Sequence, residues 1–210
     1  MLLIPALLSI LLGQAAPPPV PGLCTAPVPA DAETPGCYQT NTLDLTDAPR
    51  VLYWQIYAFP SLESAQAEAA RHRWSAVAQA HGKTWLYLIS DTDQTLEGVR
   101  AQAVIGPLTQ PDGPTTAHFA EAIFPPGMRT RVHAHPGPEA FYVVEGEQCM
   151  DALSGHALVA AGETYVVASG PHVQAAPRGR RNLVLIIAPA GAPFVTPIND
   201  GWSPSDFCDG

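Results

Sequence analysis

His133, His135 and Glu139 are the residues of this chain whose types and spacing most plainly carry chemistry. In an extended strand alternate side chains point the same way, so His133 and His135 project from one face. Pro136, Gly137 and Pro138 supply a turn, and Glu139, Phe141 and Val143 share a face of the strand that follows. If that strand folds back on the first, Glu139 comes beside both imidazoles. Two neutral imidazoles and one carboxylate form a facial ligand set suited to a divalent first-row metal such as Fe, Mn, Ni or Zn. A purely structural role is unattractive, because buried ionisable groups need partners and a metal would be that partner. Phe141 and Val143 would form an apolar pocket wall, as small-ligand sites need.

The elements that must position these residues are strands. From Thr115 onward, residues 116–124 alternate as a strand would, and Pro125, Pro126 and Gly127 end it. Later strands are expected at residues 157–160, 163–167 and 182–187, with turns at Gly and Pro between them. Residues 51–58 and 84–89 read as strands, and residues 101–105 as a third. Ser61 is placed as the N-cap of a helix that runs through alanine-rich sequence to His81, with Gly82 as its C-terminal cap. Leu62, Trp74 and Val77 would anchor that helix. The expected result is a small α+β unit, packed against the barrel because it is too small for a generous core of its own.

From Gly127 to Gly146 the spacing matches G-x5-H-x-H-x3-E-x6-G at every fixed position. On those residues the chain resembles a single-domain, cupin-2-like member of the cupin superfamily. The resemblance implies a mainly β fold, a double-stranded β-helix or jelly-roll barrel, preceded here by the α+β unit. It also implies a fourth metal ligand from a second motif, G-x5-P-x-G-x2-H-x3-N. Gly162 and Gly170 are in place, but Ala168 stands for the proline and Ala176 for the asparagine. His172 follows Gly170 after one residue instead of two. A one-residue slip inverts a strand's face, but the turn at Ser169, Gly170 and Pro171 can absorb it. His172 is therefore the expected fourth ligand, and without it a two-histidine, one-carboxylate triad would still suit Fe(II) or Mn(II).

Cupins include dioxygenases, isomerases, decarboxylases, sugar-binding domains and storage proteins, so the resemblance leaves function open. It favours an exported metal-dependent enzyme of oxidoreductase (dioxygenase-like) or isomerase-like chemistry acting on a small molecule. The alternative is a non-catalytic module that binds a small ligand or a metal. No general base stands out, so no catalytic residue is assigned. His118 and Glu121 are three apart and cannot both face inward; each is expected as an exposed polar residue on an edge strand. His72, His81 and His156 are expected at the surface. Subunits could pair as a homodimer through barrel edges, as many cupins do.

The net charge of −9, with Arg178, Arg180 and Arg181 as the only basic cluster, argues against a nucleic-acid surface. That cluster reads as a solvated hairpin turn. Residues 1–12 are almost wholly apolar and lead to Gly13, Gln14, Ala15 and Ala16, a secretory signal peptide with cleavage near Ala15 or Ala16. No membrane anchor is expected after cleavage, since a span needs about 20 apolar residues. Export agrees with four cysteines, Cys24, Cys37, Cys149 and Cys208, as structural disulfides in a periplasmic or secreted protein. Three pairings are possible. One of them would close a short proline-rich loop from Cys24 to Cys37 and staple the tail through Cys149 and Cys208. The expected organisation is a signal peptide at 1–16, a proline-rich linker or strap at 17–50, the α+β unit at 51–110, the barrel at 112–198 and a tail at 199–210.

Overall fold

The computed structural model describes Cys24, residues 26–28 and residues 33–209. The expected signal peptide at 1–16 and residues 17–23, 25 and 29–32 of the expected strap lie outside the described residues. The strands are β1 (Ala26–Pro27), β2 (Gly36–Asp44), β3 (Val51–Phe59), β4 (Ser75–Ala80), β5 (Lys83–Ser90), β6 (Ala101–Thr109), β7 (Thr115–Phe124) and β8 (Met128–Arg129). They continue as β9 (His133–Ala134), β10 (Glu139–Ala152), β11 (Gly155–Ala160), β12 (Thr164–Val167), β13 (His172–Ala176), β14 (Arg180–Pro189) and β15 (Thr196–Pro197). Among the described residues one α-helix, α1 (Leu62–Ala69), joins β3 to β4, and a short 3-10 helix spans Asp206–Asp209.

A curled sheet runs β1-β2-β7-β14-β10-β13-β9-β15, with β11 and β12 also on β10 and β8 on β13. Its long strand β10 closes the barrel. The first half of β10 pairs with β12 and β14, and the second half with β11 and β13. The change of partner falls at a bulge between Val143 and Glu145 and at Gly146. Gly146 has φ +76°, and a Cβ there would stand 2.0 Å from the Gly179 carbonyl oxygen, so only glycine fits. The last glycine of the first motif therefore marks the corner where one strand passes between the two faces of the jelly roll.

The second sheet, β4-β5-β3-β6, packs on the outside of the barrel wall. Trp54, Trp85, Tyr87 and Ile89 share one core with Phe119, Leu183, Leu185 and Ile187. The opposite faces of the same barrel strands put Ala120, Ala122, Phe124, Val184 and Ile186 inside, with Phe141, Met150 and Val167. Strand β14 is buried on both faces, which explains its unbroken apolar run.

Several expectations need correction. The helix starts as expected, with the Ser61 hydroxyl accepting from the Ser64 amide at 3.1 Å, but ends at Ala69. Leu62 is exposed, and Trp74 and Val77 lie outside the helix. Alanine favours helix in isolation. Here Ala76, Ala78 and Ala80 alternate toward the barrel, and their small side chains let the two sheets approach. His81 and Gly82, with φ +51° and +69°, form the two-residue hairpin turn that joins β4 to β5.

Residues 36–44, assigned to the strap, form β2 of the barrel. Both disulfides form, Cys24 with Cys37 and Cys149 with Cys208. The arginine cluster is not a wholly solvated turn: Arg180 is 3% exposed and points into the barrel. Arg181 pairs with Glu33 and lies 3.4 Å from Glu145. Nor is β7 an edge strand, since it lies between β2 and β14.

Candidate metal centre

Local strand geometry brings the four candidate ligands together. His133 lies on β9, and His172, the first residue of β13, is its direct antiparallel partner. Directly opposed residues face the same way, so both imidazoles enter the barrel. His135 follows β9, and Glu139 opens β10 after the Pro-Gly-Pro turn. The shortening of the second motif falls between β12 and β13, in the turn around Gly170, so His172 keeps its inward face. One potential ligand atom from each of His133, His135, Glu139 and His172 lies within 4.8 Å of the others, and all four residues are buried.

The hydrogen bonds fix which imidazole nitrogen is available. Nδ1 of His133 donates to the Arg131 carbonyl at 2.9 Å, and Nδ1 of His135 to the Phe194 carbonyl at 2.6 Å. Nδ1 of His172 donates to the Gly170 carbonyl at 3.2 Å. A carbonyl can only accept, so in the neutral imidazole the proton sits on Nδ1 and Nε2 keeps its lone pair. All three Nε2 atoms are buried without a hydrogen-bond partner. Those of His172 and His135 lie 2.9 and 3.1 Å from Glu139 Oε2. In this tautomer lone pairs face a carboxylate oxygen at contact distance, an arrangement that calls for a cation between them. The donor set fits a divalent metal.

The electrostatics agree. Burial, reinforced by the adjacent His172, pushes the His133 imidazole down to about 4. Burial would also lower His135, but the Glu139 carboxylate outweighs it and raises the imidazole. For Glu139, burial works upward and is overcome by His135 and His172, which hold the carboxyl well below the usual range. The cluster is thus biased toward an ionised carboxylate and a neutral His133, the forms that bind metal.

Phe141 stands in the apolar interior beside the site, and Val143 is fully buried. His118 and Glu121 face opposite ways, as their spacing requires. Neither is an exposed edge residue. His118 sits in one inward row with Ile186 and Glu139 across β7, β14 and β10. Its ring stacks on Phe194 at 4.1 Å, and its Nδ1 is buried without a partner. Glu121 is buried on the outer face beside the His81 turn, where burial raises its carboxyl. His81, expected at the surface, is also buried: Nε2 donates to the Asn182 carbonyl at 2.9 Å and burial lowers its pKa. His72 pairs with Glu68 at 2.9 Å, and His156 with Asp151 at 3.0 Å, both partly exposed.

The sequence reading missed the polar interior behind the candidate ligands. Gln174 donates to Glu139 Oε1 and Oε2 at 3.2 and 3.3 Å and accepts from Arg180 at 2.8 Å. The period-two rule that found His133 and His135 also puts Gln174 on the face of His172, and Arg180 and Asn182 on that of Val184. That signal was present in the sequence.

No family model matches the chain, and no curated protein matches it in sequence. Among solved structures, a cupin superfamily protein from Desulfitobacterium hafniense is similar at 12% identity, covering 34% of this chain and 67% of its own, with a TM-score of 0.33. A cupin-2 domain containing protein from Shewanella frigidimarina aligns at 24% identity over 35% of this chain and 70% of its own, TM-score 0.30. An oxalate oxidase in complex with glycolate aligns at 24% identity over 38% of this chain and 45% of its own, TM-score 0.33. The matched part is thus about two thirds of the first two chains and less than half of the third. The pairing of its own strands makes this chain mainly β, a jelly-roll barrel of curled antiparallel strands carrying an outer four-stranded sheet.

Proposed function

We propose that His133, His135, Glu139 and His172 hold a divalent metal ion, and that the chain is an exported metal-dependent enzyme acting on a small molecule. One observation carries this reading: His133, His135, Glu139 and His172 each bring a buried ligand atom within 4.8 Å of the others, and each imidazole Nδ1 is turned to a backbone carbonyl behind it. A bound ion would supply Lewis acidity or a site for oxygen or an enolate, which spans oxidoreductase and isomerase chemistry. The chain's own residues orient the ligands and keep bulk water away, with Phe141 and Val143 lining the apolar side. His118, on the same inward row as Glu139, is the residue best placed to meet a ligand beside the metal. Two disulfides support an oxidising compartment, periplasmic or extracellular. No helix among the described residues is long and apolar enough to cross a membrane. Pairing through barrel edges as a homodimer belongs to the same proposal.

A second reading, a non-catalytic binding module, is favoured by how deeply the ligands are enclosed; none of the four is more than 7% exposed. Elemental analysis of protein exported and purified without chelator, beside a His172→Ala variant, tests the metal site. One transition-metal ion per chain, lost in the variant, is the expected result. Metal-free protein that cannot be reconstituted would overturn it. Exchange of bound water and ligand at the loaded metal then separates enzyme from closed binder.

A further inference from the structure

We propose that Gln174 and Arg180 are positioning residues for the metal centre: the guanidinium sets the direction of the Gln174 amide, and the amide fixes Glu139 so that it offers one oxygen to the metal. The inference rests on the metal reading above.

In the neutral tautomer that leaves the His135 and His172 Nε2 atoms free for a metal, the Gln174 amide is the only hydrogen-bond donor to the Glu139 carboxylate among the described residues. It straddles the group, 3.2 Å from Oε1 and 3.3 Å from Oε2, while Oε2 alone turns to His135 and His172. An amide can present either its oxygen or its NH2. Arginine has donors and no acceptor. Arg180 Nη2 donates to Gln174 Oε1 at 2.8 Å, so the oxygen must face the guanidinium and the NH2 must face Glu139.

Arg180 is itself held in place. The Asn182 amide, turned so that its oxygen faces the guanidinium, accepts from Nη1 at 2.9 Å. The Phe124 ring lies 3.9 Å from Cζ. Among the described residues nothing partners its buried Nε, and no carboxylate lies within ion-pair distance of it. A buried cation without a direct counter-ion is costly to keep. The orientation it imposes on Gln174, two bonds from Glu139, is a function that would justify it. Register places the relay where it can act: Gln174 is two residues beyond His172 on β13, and Arg180 heads the inward row of β14 that ends beside Glu139 at Ile186.

Two effects of Arg180 oppose each other. Its charge repels a metal cation, whereas its grip on Gln174 secures the carboxylate ligand. The test titrates cobalt(II) into chelator-stripped full-length protein, following affinity and the visible cobalt spectrum, with the melting temperature of the metal-free protein as a folding control. Gln174→Met is expected to weaken cobalt binding about 10- to 100-fold and to shift the spectrum as Glu139 reorients. Arg180→Met is expected to weaken binding in the wild-type background but not in the Gln174→Met background, because both act through one amide. Unchanged affinity and spectrum in Gln174→Met would overturn the inference, as would tighter binding in Arg180→Met alone. Wild-type protein that binds no cobalt would overturn the metal reading, and the inference with it.

Discussion

His133 offers a sharp test of the proposed metal centre in its metal-free state. Its imidazole is 3% exposed, and burial together with His172 lowers its pKa from 6.5 to about 4. In the unfolded chain it titrates near 6.5. The folded-state value is depressed, so the unfolded chain binds the extra proton first as pH falls. Its contribution is fully present above pH 6.5 and is lost between pH 6.5 and 4. A fall of about 2.5 in pKa at about 1.4 kcal/mol each gives a loss of about 3.5 kcal/mol across that window. Neighbouring shifts act elsewhere. His135, raised by Glu139, contributes stability that is lost as pH rises above 6.5, and Glu139 contributes stability lost below about 4.5. Urea unfolding of chelator-stripped wild type and His133→Gln, measured from pH 7 to 4.5, isolates the effect. The stability difference between the two should move in favour of the variant by about 1.4 kcal/mol per pH unit below 6.5. A difference that stays flat would show that His133 is not held neutral, and would refute the account of its Nε2 as a lone pair kept free for a cation.

Two further outcomes test the scaffold. The Cys149–Cys208 bond closes a separation of 59 residues, so replacing both cysteines with serine should lower stability by about 2–4 kcal/mol and loosen the tail, as read by chemical denaturation and limited proteolysis. Phe119 stacks on Tyr87 at 4.9 Å in the core shared by the two sheets; Phe119→Ala should cost about 3–5 kcal/mol, and tryptophan fluorescence and far-ultraviolet dichroism should still report one common unfolding transition. Two separate transitions would mean that the outer sheet folds independently of the barrel.

The candidate metal centre was legible because its signals are local. Two histidines at strand spacing share a face whatever the rest of the chain does, and a glutamate after a Pro-Gly-Pro turn is brought back beside them. The strands of the barrel, the Ser61 cap and the turn that realigns His172 are likewise short-range consequences of side-chain period and backbone sterics. Residues 75–80 show where such reasoning stops. Alanine propensity points to helix there, and only the barrel wall against which Ala76, Ala78 and Ala80 pack makes a strand the better solution.

His81, Glu121 and Arg180 are polar residues whose types alone suggest the surface, yet each is buried. Their places depend on which strands become neighbours. His81 finds the Asn182 carbonyl across 101 residues of sequence, and Gln174 reaches Glu139 across 35. By itself the sequence determined which side chains share a face of each strand, because that period is built into the extended backbone. Only the tertiary structure decided which faces meet and which polar groups are thereby enclosed, because burial and its partners are set by contacts between segments far apart in the chain.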